Sequence, residues 1–175
     1  FDSRKVKPGD AFVAIRGTQV DGHRFIQKAI QQGAAAVIAE SLPAEIAETV
    51  AYIKAPDSAT ALGEMANRYY GEPSAQLKLV GVTGTNGKTT TVTLLHELFL
   101  RLGYKAGLLS TVRNKIGHTP LDATHTTPDA LAIHSLLREM VEAGCDYAFM
   151  EVSSHAAHQR RIAGLNFDGA VFTNI

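Results

Sequence analysis

The sequence has little of three features that would narrow its function at once: cysteine, net charge and long apolar runs. Its single cysteine, Cys145, excludes an internal disulfide and fits a reducing compartment. The 17 lysine and arginine residues balance the 17 aspartate and glutamate residues, so the charge does not argue for nucleic acid or an anionic membrane as a partner. No apolar run approaches the roughly 20 residues that span a bilayer. We therefore expect a cytoplasmic protein with no nucleic-acid partner and no membrane partner.

Apolar residues make up 45% of the 175 residues, which is enough for a folded core, and their spacing predicts two α/β units. A polar segment that contains glycine and proline, 71–76, separates them. This gives a small N-terminal domain at 1–73 and the first part of a second domain at 74–175. In the first domain the patterns predict strands at 11–15 and 35–39, and helices at 21–32 and from Asp57 to Gly71. The inward residues of the two helices should be Phe25, Ile26, Ala29 and Ile30 in the first, and Leu62, Met65, Ala66 and Tyr69 in the second.

Buried strands that alternate with helices are predicted for the second domain. The apolar runs lie at 77–83, 106–110, 146–152 and 169–174. One helix should begin with Thr127 as its N-cap and end at Gly144, and the polar segment from Val112 to His125 should be a hairpin or a loop. The helix after the first run should bury one face made of Val92, Leu95, Leu98, Phe99 and Leu102. The expected fold class is α/β, with a mostly parallel central sheet and helices on both faces.

The most informative segment is a glycine-rich turn between a predicted strand and a predicted helix. Backbone N–H groups in such a turn point into one small space, where the helix dipole and Lys88 add positive charge. We therefore predict ATP-phosphate binding, with Lys88 as the catalytic cation and the Thr89 hydroxyl as an Mg²⁺ ligand. The alternative is an ordinary tight turn that carries a lysine. The predicted ATP-binding residues are Gly84, Thr85, Asn86, Gly87, Lys88, Thr89 and Thr90.

Glu151 stands inside an apolar strand, where a carboxylate has to be paired or bind a metal. Because a phosphate loop implies Mg²⁺ nearby, we expect Glu151 to be a second metal ligand. The next residues, Ser153, Ser154 and His155, invite a nucleophile hypothesis, but neighbours in sequence need not form a Ser–His pair in space. The cluster 125–129 is either part of a ligand site or a helix cap.

Two basic or polar regions leave alternatives open. Gln159, Arg160 and Arg161 form either a site for an anionic substrate or a solvated basic turn. Asp2-Ser3-Arg4 and the segment 17–22 either contact a nucleotide or sugar or are turns.

Taken in order, these segments resemble the Mur ligase family over essentially the whole chain. Asp2-Ser3-Arg4 and Asp21-Gly22-His23 are similar to its uridine-nucleotide-binding domain. The turn from Thr83 to Thr90 is similar to its ATP loop, which has no glycine at the position of Val82, where the general phosphate-loop pattern has its first one. The other matching segments are Thr126-Thr127-Pro128-Asp129, Met150-Glu-Val-Ser-Ser-His155 and Val171-Phe-Thr-Asn174.

The resemblance implies an ATP-dependent amide ligase of peptidoglycan precursor synthesis, with ATP and Mg²⁺ as cofactors. Its substrates would be UDP-N-acetylmuramoyl-L-Ala-D-Glu and a diamino acid, joined through an acyl phosphate. The resemblance also implies two sets of substrate-binding residues: Phe1, Ser3, Thr18, Gln19 and Val20 for the uridine nucleotide, and Thr126, Thr127, Ser153, Gln159 and Arg161 for the muramoyl dipeptide.

The chain is expected to be a fragment, because it begins at Phe1 and stops directly after a strand-like run at Ile175. By resemblance, a metal-binding histidine, a carbamylated lysine and a further domain would follow, so the fragment alone should not complete ligation. Whether the added amino acid is lysine or meso-diaminopimelate is left open. Two other hypotheses also remain: a phosphate-loop kinase or NTPase, and a non-catalytic nucleotide-sugar-binding module.

Overall fold

A computed structural model describes residues 1–18, 20–121 and 128–175. They form two compact units, Phe1–Leu62 and Gly63–Ile175, and each unit is described by itself. The division between the units lies inside a helix that precedes the polar segment 71–76, and a domain boundary after residue 73 stays a prediction.

The first unit contains a parallel sheet in the order β1-β2-β3. Its strands are β1 Ala11–Ala14, β2 Ala36–Ala39 and β3 Ala51–Lys54. A short 3₁₀ helix, Gly22–Phe25, and helix α1, Ile26–Gln31, connect β1 to β2. The core forms because Phe12 and Val37 on the strands pack with Ile26 and Ala29 on the helix, all of them buried.

The structure adds one strand that was not predicted and alters two details of the helix expected at 21–32. Strand β3 was not predicted, because its side chains are mostly exposed, Ile53 at 53%, and no buried apolar run marks it. The helix expected at 21–32 begins as a 3₁₀ turn, since the Asp21 carboxylate accepts a hydrogen bond from the backbone N–H of His23. Phe25 was expected to point inward, but it is exposed.

Helix α2, Ser58–Tyr69, begins in the first unit and continues into the second, which contains a six-stranded sheet in the order β7-β6-β5-β8-β4-β9. The predicted four-strand group is present, and all its pairings are parallel; β6 and β7 add an antiparallel hairpin. The strands are β4 Lys78–Thr83, β5 Ala106–Leu109, β6 Asn114–Ile116, β7 Thr119–Leu121, β8 Tyr147–Glu151 and β9 Gly169–Phe172. The helices are α3 Lys88–Arg101, α4 Ala130–Glu142 and α5 Ser154–His158, with a 3₁₀ turn at Pro73–Ala75.

Helices cover both faces of the second sheet, which confirms the predicted α/β fold class. Side chains alternate along each strand, so Val82 and Phe149 pack with α3, whereas Leu79 and Met150 pack with α4 on the opposite face. Among the described residues, no helix has the length and apolar character needed to cross a bilayer.

Details of the second unit correct the sequence analysis. The N-cap of α4 is Asp129, whose carboxylate accepts from the backbone N–H of Ala132 at 2.9 Å, so the expectation of Thr127 as the cap was wrong. Strand β9 was expected to be buried, yet Phe172 is 63% exposed. The hairpin expected after Val112 is confirmed up to Leu121, the last residue described there. Four side chains expected on buried helix faces are exposed: Met65, Tyr69, Leu98 and Leu102.

Candidate nucleotide and substrate site

The carboxyl ends of the four parallel strands lie at one edge of the second sheet, and the segments that follow them gather polar groups there. The loop 84–87 follows β4, the turn 110–113 follows β5, Ser153 comes soon after β8, and residues 173–174 follow β9. This edge is the candidate site.

Two glycines shape the loop after β4, and they do so for different reasons. Gly84 has φ +130°, and a Cβ there would come within 2.9 Å of the Asn174 carbonyl oxygen, so its missing side chain makes room for the neighbouring strand end. Gly87 has φ +84°, and no atom lies within 4 Å of where its Cβ would be. Gly87 precedes α3, so the loop is open to a ligand at the N-terminus of a 14-residue helix.

Residues 173 and 174 hold this loop in place. The Asn174 side-chain oxygen accepts from the backbone N–H of Asn86 at 3.0 Å, and the Thr173 hydroxyl donates to the Asn86 carbonyl at 2.7 Å. The backbone N–H of Thr85 donates to the Asn174 carbonyl at 3.1 Å. Sequence analysis gave these two residues no role; the signal that could have found them is a polar Thr-Asn pair directly after a parallel strand beside β4.

Lys88 folds back over the loop. Its ammonium donates to the carbonyls of Gly84 at 2.7 Å and Thr85 at 3.0 Å. An ammonium has three donors, so these two bonds leave one for a ligand. The positive charge therefore sits beside the backbone that the sequence predicted would cradle phosphate.

The structure brings Glu151 and Thr89 together, as the predicted metal site requires. Strand alternation turns Glu151 toward the α3 face, and it pairs with Val82 in the ladder between β4 and β8. The Thr89 hydroxyl donates to Oε2 of Glu151 at 2.9 Å. Thr111, to which the sequence assigned no role, donates to the same oxygen through its hydroxyl at 3.2 Å and its backbone N–H at 3.3 Å.

The Thr89 and Glu151 oxygens fit what Mg²⁺ uses in phosphate sites, namely one or two protein oxygens completed by phosphate and water. The Thr89 hydroxyl can donate its proton to Glu151 and still offer a lone pair to a cation. No cluster of three or more His, Cys, Asp or Glu suited to a metal is found in the part of the chain that the structure describes. A cation held here would therefore depend on its ligand and on water for its other contacts.

The segment after β8 carries the other predicted residues of this unit. Ser153 is the N-cap of α5, and its hydroxyl oxygen accepts from the backbone N–H of Ala156 at 3.1 Å. This hydrogen bond gives Ser153 a role as a helix cap, which does not require it to be a nucleophile. At the other end of α5, the Arg161 guanidinium donates to the Gln159 side-chain oxygen, and both side chains are half-buried. Thr126 and Thr127 lie outside the described residues.

The predicted uridine-nucleotide residues of the first unit differ in exposure. Ser3 is buried, whereas Phe1, Thr18 and Val20 are exposed, and Gln19 lies outside the described residues. Next to Ser3, the Arg4 guanidinium binds the Asp2 carboxylate at 2.9 Å and holds the pKa of Asp2 far below its usual range.

His23 joins Asp21 to the residues that follow β2. The backbone N–H groups of Glu40 and Ser41 donate to His23 Nε2 at 3.1 and 3.4 Å, so that nitrogen has to be unprotonated and the ring proton lies on Nδ1. Nδ1 donates to Asp21 at 2.6 Å, and the hydrogen bonds from the backbone and ring of His23 lower the pKa of Asp21.

Cys145 packs in the core beside α4, where burial raises the pKa of its thiol, in line with a hydrophobic role.

Two family descriptions match the chain along most of its length. The Mur ligase middle domain matches residues 82–175, which contain the loop and Glu151, and the Mur ligase family catalytic domain matches residues 1–70. The chain belongs to the Mur ligase family. The family expected from the sequence is thereby confirmed.

Individual Mur ligases are also similar to it. Curated UDP-N-acetylmuramoyl-L-alanyl-D-glutamate–2,6-diaminopimelate ligases are 61% identical in Cytophaga hutchinsonii and 56% identical in Parabacteroides distasonis. They match 100% and 99% of this chain, but the chain spans only 36% of each relative. A solved structure of a UDP-N-acetylmuramoyl-L-alanyl-D-glutamate–2,6-diaminopimelate ligase has a TM-score of 0.85 at 32% identity, covering 99% of this chain and 35% of that one. The MurF ligase of Thermotoga maritima, solved with ADP, has a TM-score of 0.61 at 25% identity, covering 99% of this chain and 36% of that one.

Proposed function

We propose that this chain forms part of an ATP-dependent ligase that adds 2,6-diaminopimelate to UDP-N-acetylmuramoyl-L-alanyl-D-glutamate. The observation that carries the proposal is the 2.9 Å hydrogen bond between Thr89 and Glu151, beside a lysine-bearing loop at a helix N-terminus. The relatives named for that reaction support the choice of substrates, and they favour diaminopimelate over lysine. A ligase that makes a cell-wall precursor from ATP would act in the cytoplasm.

The loop is proposed to bind the phosphates of ATP. The N-terminus of α3, directly after Gly87, attracts anionic oxygens, and the third donor of Lys88 would face the β- and γ-phosphates. Thr89 and Glu151 would hold Mg²⁺, which supplies charge neutralisation to the phosphates when bound. The related MurF structure with ADP supports a nucleotide site in this fold.

The reaction proceeds in two steps. The γ-carboxylate of the D-glutamyl residue attacks the γ-phosphorus of ATP, the bond to the β-phosphate oxygen breaks, and ADP leaves with an acyl phosphate formed. The amine of diaminopimelate then attacks the acyl carbon, loses a proton, and expels inorganic phosphate from the tetrahedral intermediate. Both reactants of the first step are anions, so the contribution of Lys88 is to lower their repulsion and stabilise the charge of the transferring phosphoryl group.

Substrate positioning is proposed for the remaining predicted residues. Ser153, Gln159 and Arg161, together with Thr126 and Thr127, would bind the muramoyl dipeptide, whose carboxylates suit the guanidinium of Arg161. Phe1, Ser3, Thr18, Gln19 and Val20, in a domain proposed to span 1–73, would bind the uridine nucleotide.

One assay on the full-length protein that contains this sequence tests the proposal. With ATP, Mg²⁺ and the UDP-muramoyl dipeptide, phosphate release should require 2,6-diaminopimelate and should be much slower with lysine. Release that ignores the amino acid would indicate a phosphate-loop kinase or NTPase instead. Binding of the UDP-sugar without any turnover, unaffected by Lys88→Ala, would indicate a nucleotide-sugar-binding module. The 175 residues by themselves are expected to give no ligation product.

A further inference from the structure

We infer that His134 is a positioning residue for the turn that carries Gln159 and Arg161, and that it acts through the carbonyl of Ala163. The inference rests on the proposed function, because the ligand assigned to this turn is the muramoyl dipeptide. It concerns a buried side chain on α4 that would itself touch no substrate.

The turn after α5 has a backbone conformation that needs support. It ends in a Schellman pattern, in which Arg161 N–H donates to the Ala156 carbonyl at 2.9 Å and Arg160 N–H donates to the Ala157 carbonyl at 3.1 Å. This pattern places Arg160 in the left-handed region, at φ +57°. Each of the other four α-helices in the described residues is followed by a glycine with positive φ, namely Gly33, Gly71, Gly103 and Gly144.

A side chain in the left-handed region costs free energy that glycine avoids, and such residues persist where the surrounding structure holds them. Because arginine stands where glycine would be more stable, we take the side chains of this turn to be needed for binding. Ala163 is hydrogen-bonded to Arg160, because the Ala163 N–H donates to the Arg160 carbonyl at 3.0 Å. Contacts that hold Ala163 in place therefore also constrain Arg160 and the turn from Gln159 to Arg161.

His134 supplies that support from one side. Its side chain has no exposed surface, and its Nε2 lies 3.1 Å from the Ala163 carbonyl oxygen. A carbonyl oxygen can only accept, so Nε2 carries the ring proton that faces Ala163, and burial lowers the pKa of His134, which disfavours a second proton on the ring. Nδ1 has no hydrogen-bond partner among the described residues. The bond to Ala163 is what distinguishes His134 from His96, which is equally buried, and it is the reason we assign for a histidine here.

Helix α2 supports the same carbonyl from a second side. A Cβ at Gly63 would lie 2.5 Å from the Ala163 carbonyl oxygen and 2.7 Å from the Ala163 Cβ. Only glycine permits this approach, so Ala163 is confined between α2 and the imidazole of His134. Removing the donor or adding a methyl group should move the turn, and with it the Gln159–Arg161 pair.

The test compares four variants of the full-length protein in the ligase assay. His134→Leu removes the donor, His134→Gln keeps an N–H at a similar reach, and Gly63→Ala displaces Ala163 from its other side. His96→Leu is the matched control, because His96 is equally buried but lies on α3, which packs on the opposite face of the sheet from α4. The readouts are the KM for the UDP-muramoyl dipeptide, the KM for ATP, kcat, and the calorimetric Kd of the dipeptide.

His134→Leu and Gly63→Ala should raise the KM and Kd of the dipeptide roughly tenfold, with the KM for ATP within about twofold of wild type, because only the peptide-binding turn is displaced. His134→Gln and His96→Leu should stay close to wild type. An unchanged dipeptide KM in both His134→Leu and Gly63→Ala, or an equal rise in His96→Leu, would overturn the inference. If His134→Leu does not fold, Gly63→Ala alone decides. A wild-type protein that neither binds nor converts the dipeptide would instead refute the proposed function.

Discussion

The loop after β4 and the turn after α5 are both polar, yet they are built in opposite ways. The loop obtains its positive φ values from Gly84 and Gly87, and side chains of a neighbouring strand end hold it. The turn obtains its positive φ from Arg160, and a buried histidine and a glycine on two helices confine it. Gly87 leaves the N-terminus of α3 open to a ligand, whereas the turn that contains Arg160 presents the side chains of Gln159 and Arg161.

The largest expected effect is the loss of turnover when Lys88, the charge proposed to face the phosphates in the loop after β4, is removed. Lys88→Ala should lower kcat for phosphate release by about a hundred- to a thousandfold, as loss of a group that stabilises transition-state charge does in other enzymes. The dipeptide Kd should change little, because the turn is held separately. Rates are measured on the full-length protein, with Lys28→Ala, an exposed lysine on α1, as control. Equal losses of dipeptide binding and turnover would contradict the separation of the two regions.

Glu151→Gln should have the next largest effect. The amide can still accept from Thr89 and Thr111 but has no charge for a cation, so the Mg²⁺ concentration for half-maximal rate should rise by roughly ten- to a hundredfold. Mn²⁺ binding followed by electron paramagnetic resonance gives a readout that does not depend on activity. Glu97→Gln serves as the control, because the Glu97 carboxylate on α3 pairs with Lys115 at 3.5 Å and is not part of the proposed metal site. Unaltered Mn²⁺ affinity in Glu151→Gln would remove the metal-ligand role.

The difference between the two regions also decides what the sequence could predict. The loop was predictable, because glycines, a lysine and a strand-to-helix context all lie within a few residues. Glu151 was predictable as well, since a carboxylate in an apolar strand needs a partner. The parallel strands and their helices follow from the alternation of apolar runs.

Support from distant residues was not predictable. Thr111 and His134 are remote in sequence from the segments that they hold, and no local pattern distinguishes them from an ordinary turn residue and an ordinary core residue. The exposure of β9 and the strand β3 were missed for a related reason: apolar content predicts a strand, but position in the sheet decides whether it is buried. Asp129 displaced Thr127 as the cap because its carboxylate is the group that reaches a free N–H of α4.

Asn174→Ala tests the support of the loop. The substitution removes the acceptor for the Asn86 N–H and the side-chain donor to the Asn86 carbonyl, and it leaves the backbone bond from Thr85 in place. We expect the KM for ATP to rise by roughly five- to tenfold, consistent with the loss of two exposed hydrogen bonds that order the loop. The dipeptide Kd should not change. Asn166→Ala, which removes another exposed asparagine side chain of the second unit, controls for general effects on folding.

The smallest effect tests the premise that a left-handed side chain is costly in this fold. Glu72 is the other non-glycine residue with positive φ among the described residues, at +55°, and its ion pair with Arg68 at 3.4 Å is exposed and contributes little. Glu72→Gly should raise the free energy of unfolding by about 0.5–1 kcal/mol relative to Glu72→Ala, which removes the same side chain without easing φ. Urea unfolding of the two variants measures the difference. If Glu72→Gly is no more stable than Glu72→Ala, the left-handed conformation costs little in this fold. The presence of arginine instead of glycine at position 160 would then no longer indicate a role for the turn.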